Sequence, residues 1–154
     1  MIRLRWPIVA AAAVISACAL HVAGAVADGP PTVTRELHFA RGAASVVVAD
    51  SVVRGERHVW RFGARAGQTA TVRVTAVEDN AAFTIWQPGA RLPATRDADI
   101  EGRTLTGAGE EDDAATWHGR LPASGNYLVV VGATRGNASY KLTLEIAPDA
   151  PRRE

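Results

Sequence analysis

The chain has 154 residues, with 17 Lys and Arg against 16 Asp and Glu, 47% hydrophobic residues and one cysteine. A formal charge of +1 gives no global electrostatic support for nucleic-acid binding, and the lone Cys18 excludes an internal disulfide. The length suits one domain and is too short for two.

The first residues read as an export signal. Arg3 and Arg5 supply a positive n-region, Ile8 to Leu20 an apolar stretch, and Ala25-Val26-Ala27 the small residues of a cleavage site. Residues 1–27 are therefore expected to be a signal peptide and 28–33 a linker, which places the domain in the periplasm or outside the cell. His21 and Gly24 punctuate the apolar stretch, which argues against a spanning anchor. Ile15-Ser16-Ala17-Cys18 is similar to the lipobox of bacterial lipoproteins, so contact with a membrane is expected only if Cys18 is lipidated. Without Arg3 and Arg5 the balance is 15 basic against 16 acidic residues.

From residue 34 onward the hydrophobic pattern has period two, the signature of half-buried strands. Strands are expected over 34–40, 44–53, 56–64, 68–77, 82–87, 114–121, 126–134 and 138–147. Breakers separate most of them, among them Arg41-Gly42, Arg54-Gly55, Ala66-Gly67, Pro88-Gly89, Ser124-Gly125 and Gly136-Asn137. Val46-Val47-Val48 is apolar on both faces, as befits a central strand or one covered by a neighbour. The chain from about Ala90 to Asp113 is rich in Gly and acidic residues and is expected to be an exposed, partly mobile loop. The fold expected is all-β: one antiparallel β-sandwich or jelly roll of about eight strands over 34–147, with a C-terminal tail over 148–154.

Chemistry-bearing residues are scattered. His38, His58 and His118 fall on different strands without the spacing of a zinc site, and no nucleophile elbow appears. No catalytic residue, cofactor or metal is therefore assigned, and the chain is read as a non-enzyme. Asp97, Asp99 and Glu101 offer hard oxygen ligands at alternate positions but not the spaced calcium-loop pattern, so a solvated charged loop is the favoured reading. Trp60, Trp86 and Trp117 read as core or sandwich-end residues. In Leu121-Pro122-Ala123-Ser124-Gly125-Asn126-Tyr127, Pro122 and Gly125 suit a sharp turn that feeds a buried strand, with the Tyr127 ring packing at the sandwich end.

Two resemblances cover almost all of this stretch. An aromatic strand over 59–64, Ala64 to Val72 containing Gly67-Gln68, Phe83 to Gly89, Leu121 to Tyr127 and Ser139 to Ile146 together resemble bacterial prepeptidase C-terminal-type domains. Leu37-His38-Phe39-Ala40-Arg41-Gly42, the Ser124-Gly125-Asn126-Tyr127 turn and Arg135 resemble, more narrowly, the periplasmic inhibitors of goose-type (g-type) lysozyme. The second resemblance implies a non-enzymatic protein whose Ser124, Gly125, Asn126 and Tyr127, with Arg135 nearby, enter a lysozyme cleft. The first implies the alternative, an accessory sandwich that binds an envelope or extracellular polysaccharide or protein, with Ca²⁺ as a candidate ligand.

Overall fold

The computed structural model describes residues 34–94 and 98–147. The expected signal peptide over 1–27 with its Cys18, the linker over 28–33, Asp97 and the tail over 148–154 lie outside them. Eight strands are present: β1 (Thr34–Glu36), β2 (Ser45–Val52), β3 (Arg57–Ala64), β4 (Thr69–Ala76), β5 (Ala81–Trp86), β6 (Thr116–Arg120), β7 (Gly125–Ala133) and β8 (Ala138–Ala147). They form two four-stranded sheets, ordered β1-β3-β7-β5 and β2-β8-β4-β6. Odd strands thus belong to one sheet and even strands to the other, so every connection crosses the sandwich. All pairings are antiparallel except β1 with β3, which run parallel.

Alternation sets the core. Trp60, Phe62, Phe83 and Ile85 face inward from the odd sheet, and Val72, Val74, Tyr140, Leu142 and Leu144 meet them from the even sheet. β7 is different, because its apolar run is continuous. Tyr127, Val129 and Val131 point into this core, whereas Leu128 and Val130 join Val59, Trp86 and Ile100 in a second cluster on the outer face. A strand covered on both faces reads as an unbroken hydrophobic run.

The cover is the chain from Ala90 to Asp113, and here the expectation of an exposed loop is corrected for its described residues. Ile100 packs on the outer face, while Leu105 and Ala108 are buried in the main core. The segment also pairs with the free edge of β5: Leu105 N donates to Ile85 O (2.9 Å), Ile85 N to Ala108 O (2.9 Å) and Phe83 N to Ala114 O (2.8 Å). Trp117 Nε1 donates to Thr106 O at 3.0 Å. Backbone pairing of this kind leaves no period in the sequence, and three short apolar anchors among many charges do not stand out.

Two strands also depart from expectation. β1 ends at Glu36 rather than residue 40, because after Leu37 N donates to Arg61 O (2.8 Å) the chain turns away through Ala40 to Ala43. β2 is neither central nor covered: it is an edge strand paired only with β8, and Val47 is 55% exposed. Valine favours extended backbone on either face, so the triplet reported strand propensity rather than position.

A polar chain closes the open side of the sandwich between the β1 and β2 edges. Arg35 Nη1 on β1 lies 3.2 Å from Asp50 Oδ2 on β2, and its guanidinium sits 5.4 Å from the Trp60 ring centroid. Asp50 Oδ2 in turn is 3.4 Å from His58 Nδ1. The buried Tyr140 hydroxyl accepts from Trp60 Nε1 at 2.9 Å and lies 2.9 Å from His58 Nδ1. Burial lowers the His58 pKa below its ordinary 6.5, outweighing the raising effect of Asp50; Arg35 lowers it further and Glu56 opposes. Burial likewise pushes the Tyr140 hydroxyl up to about 12. Both groups are therefore neutral at pH 7, and the Tyr140 hydroxyl and His58 Nδ1 share a hydrogen bond whose direction follows the imidazole tautomer.

Because His58 binds its proton more weakly when folded, protonation is linked to unfolding. Its contribution to stability is complete above pH 6.5 and is lost as pH falls through the folded value. Urea midpoints should drop between about pH 7.5 and about pH 5, and His58→Gln should flatten that part of the profile. An unaltered slope in the variant would remove His58 as the cause.

Candidate functional site

The turn before β7 is assembled from three separate segments. Leu121 N donates to Gln68 O and Gly67 N to Leu121 O, both at 2.8 Å, which ties the 121–126 arch to the 65–68 arch. Ser124 Oγ accepts from Ala66 N at 2.9 Å, and Arg120 Nε donates to Gly67 O at 3.2 Å. Gly125 has φ +141°, and a Cβ there would lie 2.8 Å from Pro88 Cβ, so the loop after β5 wedges against the turn. Only glycine accommodates that dihedral and that approach together.

Tyr127 fixes the turn from beneath. Its ring is fully buried and stacks on Phe62, with centroids 5.4 Å apart at 17°. Its hydroxyl donates to Ala123 O at 2.7 Å and accepts from Ala123 N at 3.1 Å. The ring therefore has no surface to offer a partner, and a direct contact role for Tyr127 gives way to a positioning one. Ser124, Gly125 and Asn126 remain on the outside, all exposed. The Ser124 hydroxyl keeps its proton for an outward hydrogen bond, and the Asn126 amide makes no hydrogen bond to the described residues.

Arg135 is not brought to this turn. It follows the other end of β7, and the nine residues from Asn126 span about 30 Å at strand rise. There Arg135 Nη2 donates to Glu78 O at 2.5 Å, and the buried Asn80 side chain donates to Arg135 O (3.0 Å) and Asn137 O (2.9 Å). These bonds knit the far arches together. The expected pairing of Arg135 with the turn overlooked strand length, since a family position says nothing of which end it occupies.

What does come to the turn end is a set of arginines. Arg41 lies on the arch after β1, Arg65 on the arch after β3, and Arg120 closes β6; all three are exposed. Phe39, Ala43, Ala44, Gly63, Gln68 and Ile146 line a shallow cavity of about 220 Å³ beside them. The far end is mixed in charge, with Arg54 and Arg135 among Glu56, Glu78 and Asp79. The turn-end arginines stand on two arches and a strand end far apart in sequence, and no linear motif could have marked them as neighbours.

The other candidates disperse. His58 belongs to the interior polar chain, and His118 Nδ1 is 2.9 Å from Thr71 Oγ1 on the outer face of the even sheet. Asp99 and Glu101 lie on the cover of the odd sheet, where Glu101 pairs with Arg91 through backbone bonds of 2.8 and 3.1 Å. Trp60, Trp86 and Trp117 are all buried.

Tyr127→Phe should leave the stacked ring in place and orphan the Ala123 N–H and C=O, costing about 1–3 kcal/mol in urea unfolding. Gly125→Ala should cost a similar amount, about 1–3 kcal/mol, through the dihedral and the Pro88 clash. Wild-type stability in both variants would contradict the rigid turn.

No family model and no curated protein matches the chain. Solved structures do. The periplasmic g-type lysozyme inhibitor PliG of Aeromonas hydrophila is 28% identical, with a TM-score of 0.57 over 76% of this chain and 98% of that one. PliG of Salmonella Typhimurium (22%, TM-score 0.52) and a mutant of the Escherichia coli protein (20%, TM-score 0.50) share the fold, each covering 74% of this chain and 97% of their own. The alternating two-sheet sandwich is thus similar in fold to these periplasmic inhibitors of g-type lysozyme, and similar in sequence also to that of A. hydrophila.

Proposed function

We propose that the chain is a periplasmic, non-enzymatic inhibitor of g-type lysozyme that blocks the enzyme's cleft with the Ser124-Gly125-Asn126 turn. The observation that carries this reading is the A. hydrophila likeness over nearly the whole inhibitor, joined to a turn that is rigid yet exposed. A glycosidase cleft is built around carboxyl groups and polar sugar-binding positions. The turn presents a hydroxyl and an amide at low entropic cost, because its backbone is already held by Tyr127, Ala66 and Pro88. Arg41, Arg65 and Arg120 favour approach to an acidic cleft and set a salt-dependent association rate. Arg135, at the opposite end, stands outside this contact.

The decisive experiment adds purified protein to g-type lysozyme acting on a peptidoglycan suspension. Lysis should slow in proportion to inhibitor, and no slowing at large molar excess would overturn the proposal. Asn126→Ala should weaken inhibition about tenfold, while Arg135→Ala should leave it within about twofold. A stronger loss at Arg135 than at Asn126 would move the contact to the other end of the sandwich.

A further inference from the structure

The sandwich has four sheet edges, and three of them are blunted. β1 has three residues and β6 five, and β5 is covered by the backbone of residues 105–114. β2 has eight residues, with no proline and no lysine, and no described strand pairs with its outer side. Long uncovered edges of this kind are templates for strand pairing.

The register of that open row follows from one bond. Ile146 N donates to Ala44 O, so the even-numbered residues of β2 hydrogen-bond to β8. Ser45, Val47, Ala49 and Ser51 therefore turn their N–H and C=O groups away from the sheet. Ser51 N is already taken, donating to Asp50 Oδ1 at 2.8 Å. Ser45, Val47 and Ala49 are left as an uninterrupted row with no hydrogen bond among the described residues on that side. The exposed large hydrophobic residues of the described chain are Val47, Val53 and Val77, and Val47 stands at the middle of the row.

We propose that this row pairs antiparallel with the same row of a second copy of the chain, about a two-fold axis at Val47. The axis places Val47 beside Val47 of the second copy, and Ser45 beside Ala49 of the second copy. Three hydrogen-bonded pairs exchange roughly six backbone bonds. Val46 and Val48, half-buried at the seam, close against each other on the inner side. No like charges meet: Asp50 is the only charge on β2, lies beyond the row and points inward to Arg35. The even sheets of two copies thereby become one eight-stranded sheet, and an isologous contact of this sort closes without forming fibres. The turn before β7 lies in the other sheet and stays free.

Sedimentation equilibrium of the purified protein should return a concentration-dependent mass rising to twice the monomer. Val47→Lys and Val47→Glu, at an exposed position, should each keep the unfolding midpoint and weaken dimerisation about tenfold or more through like charges at the axis. Mixing the two should restore the dimer, while Val53→Lys should leave it intact. A monomer at all concentrations, a Val47→Lys variant as dimeric as wild type, or no rescue on mixing would each overturn the proposal. So would a monomer that instead pairs this edge with an added extended peptide.

Discussion

Burial of β7 on both faces is the constraint around which the molecule is arranged. Its inward residues, Tyr127, Val129 and Val131, reach the even sheet, and its outward residues, Leu128 and Val130, would meet water without the Ala90–Asp113 segment. Covering them demands that segment's apolar anchors, and seating it on β5 removes an exposed sheet edge at the same time. A buried side chain such as Leu128 is stabilised by roughly 1.5–3 kcal/mol relative to exposure, so the cover and the strand hold each other in place. The turn inherits this rigidity, because Gly125 is both the first residue of β7 and the point where Pro88 presses.

Strands were legible in the sequence because side-chain alternation and glycine breakers are local properties. β4 and β8, half-buried and regular, came out within a residue of their expected limits. Pairing was not legible in the same way. The valines of β2 signal extended backbone equally at an edge or in the middle, and the cover over β7 is held by main-chain bonds that leave no mark on residue identity. The turn showed a similar division. Gly125 and Pro122 announced a reversal, and the Tyr127 ring was expected to pack at the sandwich end. That its hydroxyl grips Ala123 on both sides, while Ser124 and Asn126 supply the turn's outward polar side chains, is a tertiary fact that no local pattern carries.

The interior is not uniformly oily, and its polar chain is placed with economy. Arg35, Asp50, His58, Tyr140 and Trp60 span both sheets at the side where β1 and β2 leave the sandwich open. An inward-pointing carboxylate on an edge strand is one of the devices that limit uncontrolled strand addition. Here Asp50 also occupies the Ser51 N–H, so one side chain restrains the edge from within and from its end.

Strict alternation of the strands between sheets has a consequence for how the molecule comes into being. β7 and β8, the last strands to leave the ribosome, are inner strands of the two sheets, and they make the pairings for β2, β3 and β5 and the longer pairing of β4. No strand pairs with its neighbour in sequence; the local pairing available early is that of β5 and its following loop, through Phe83 with Ala114, Trp86 with Thr104 and Arg91 with Glu101, and the remaining pairings join distant segments. Non-local pairing of this sort folds slowly, because chain closure must precede any reward. Before residue 125 arrives, the pairings available are β1 with β3, β4 with β6 and β5 with the segment that follows it. Neither sheet can be completed until these last two strands are available, so the C-terminal strands decide when the sandwich closes.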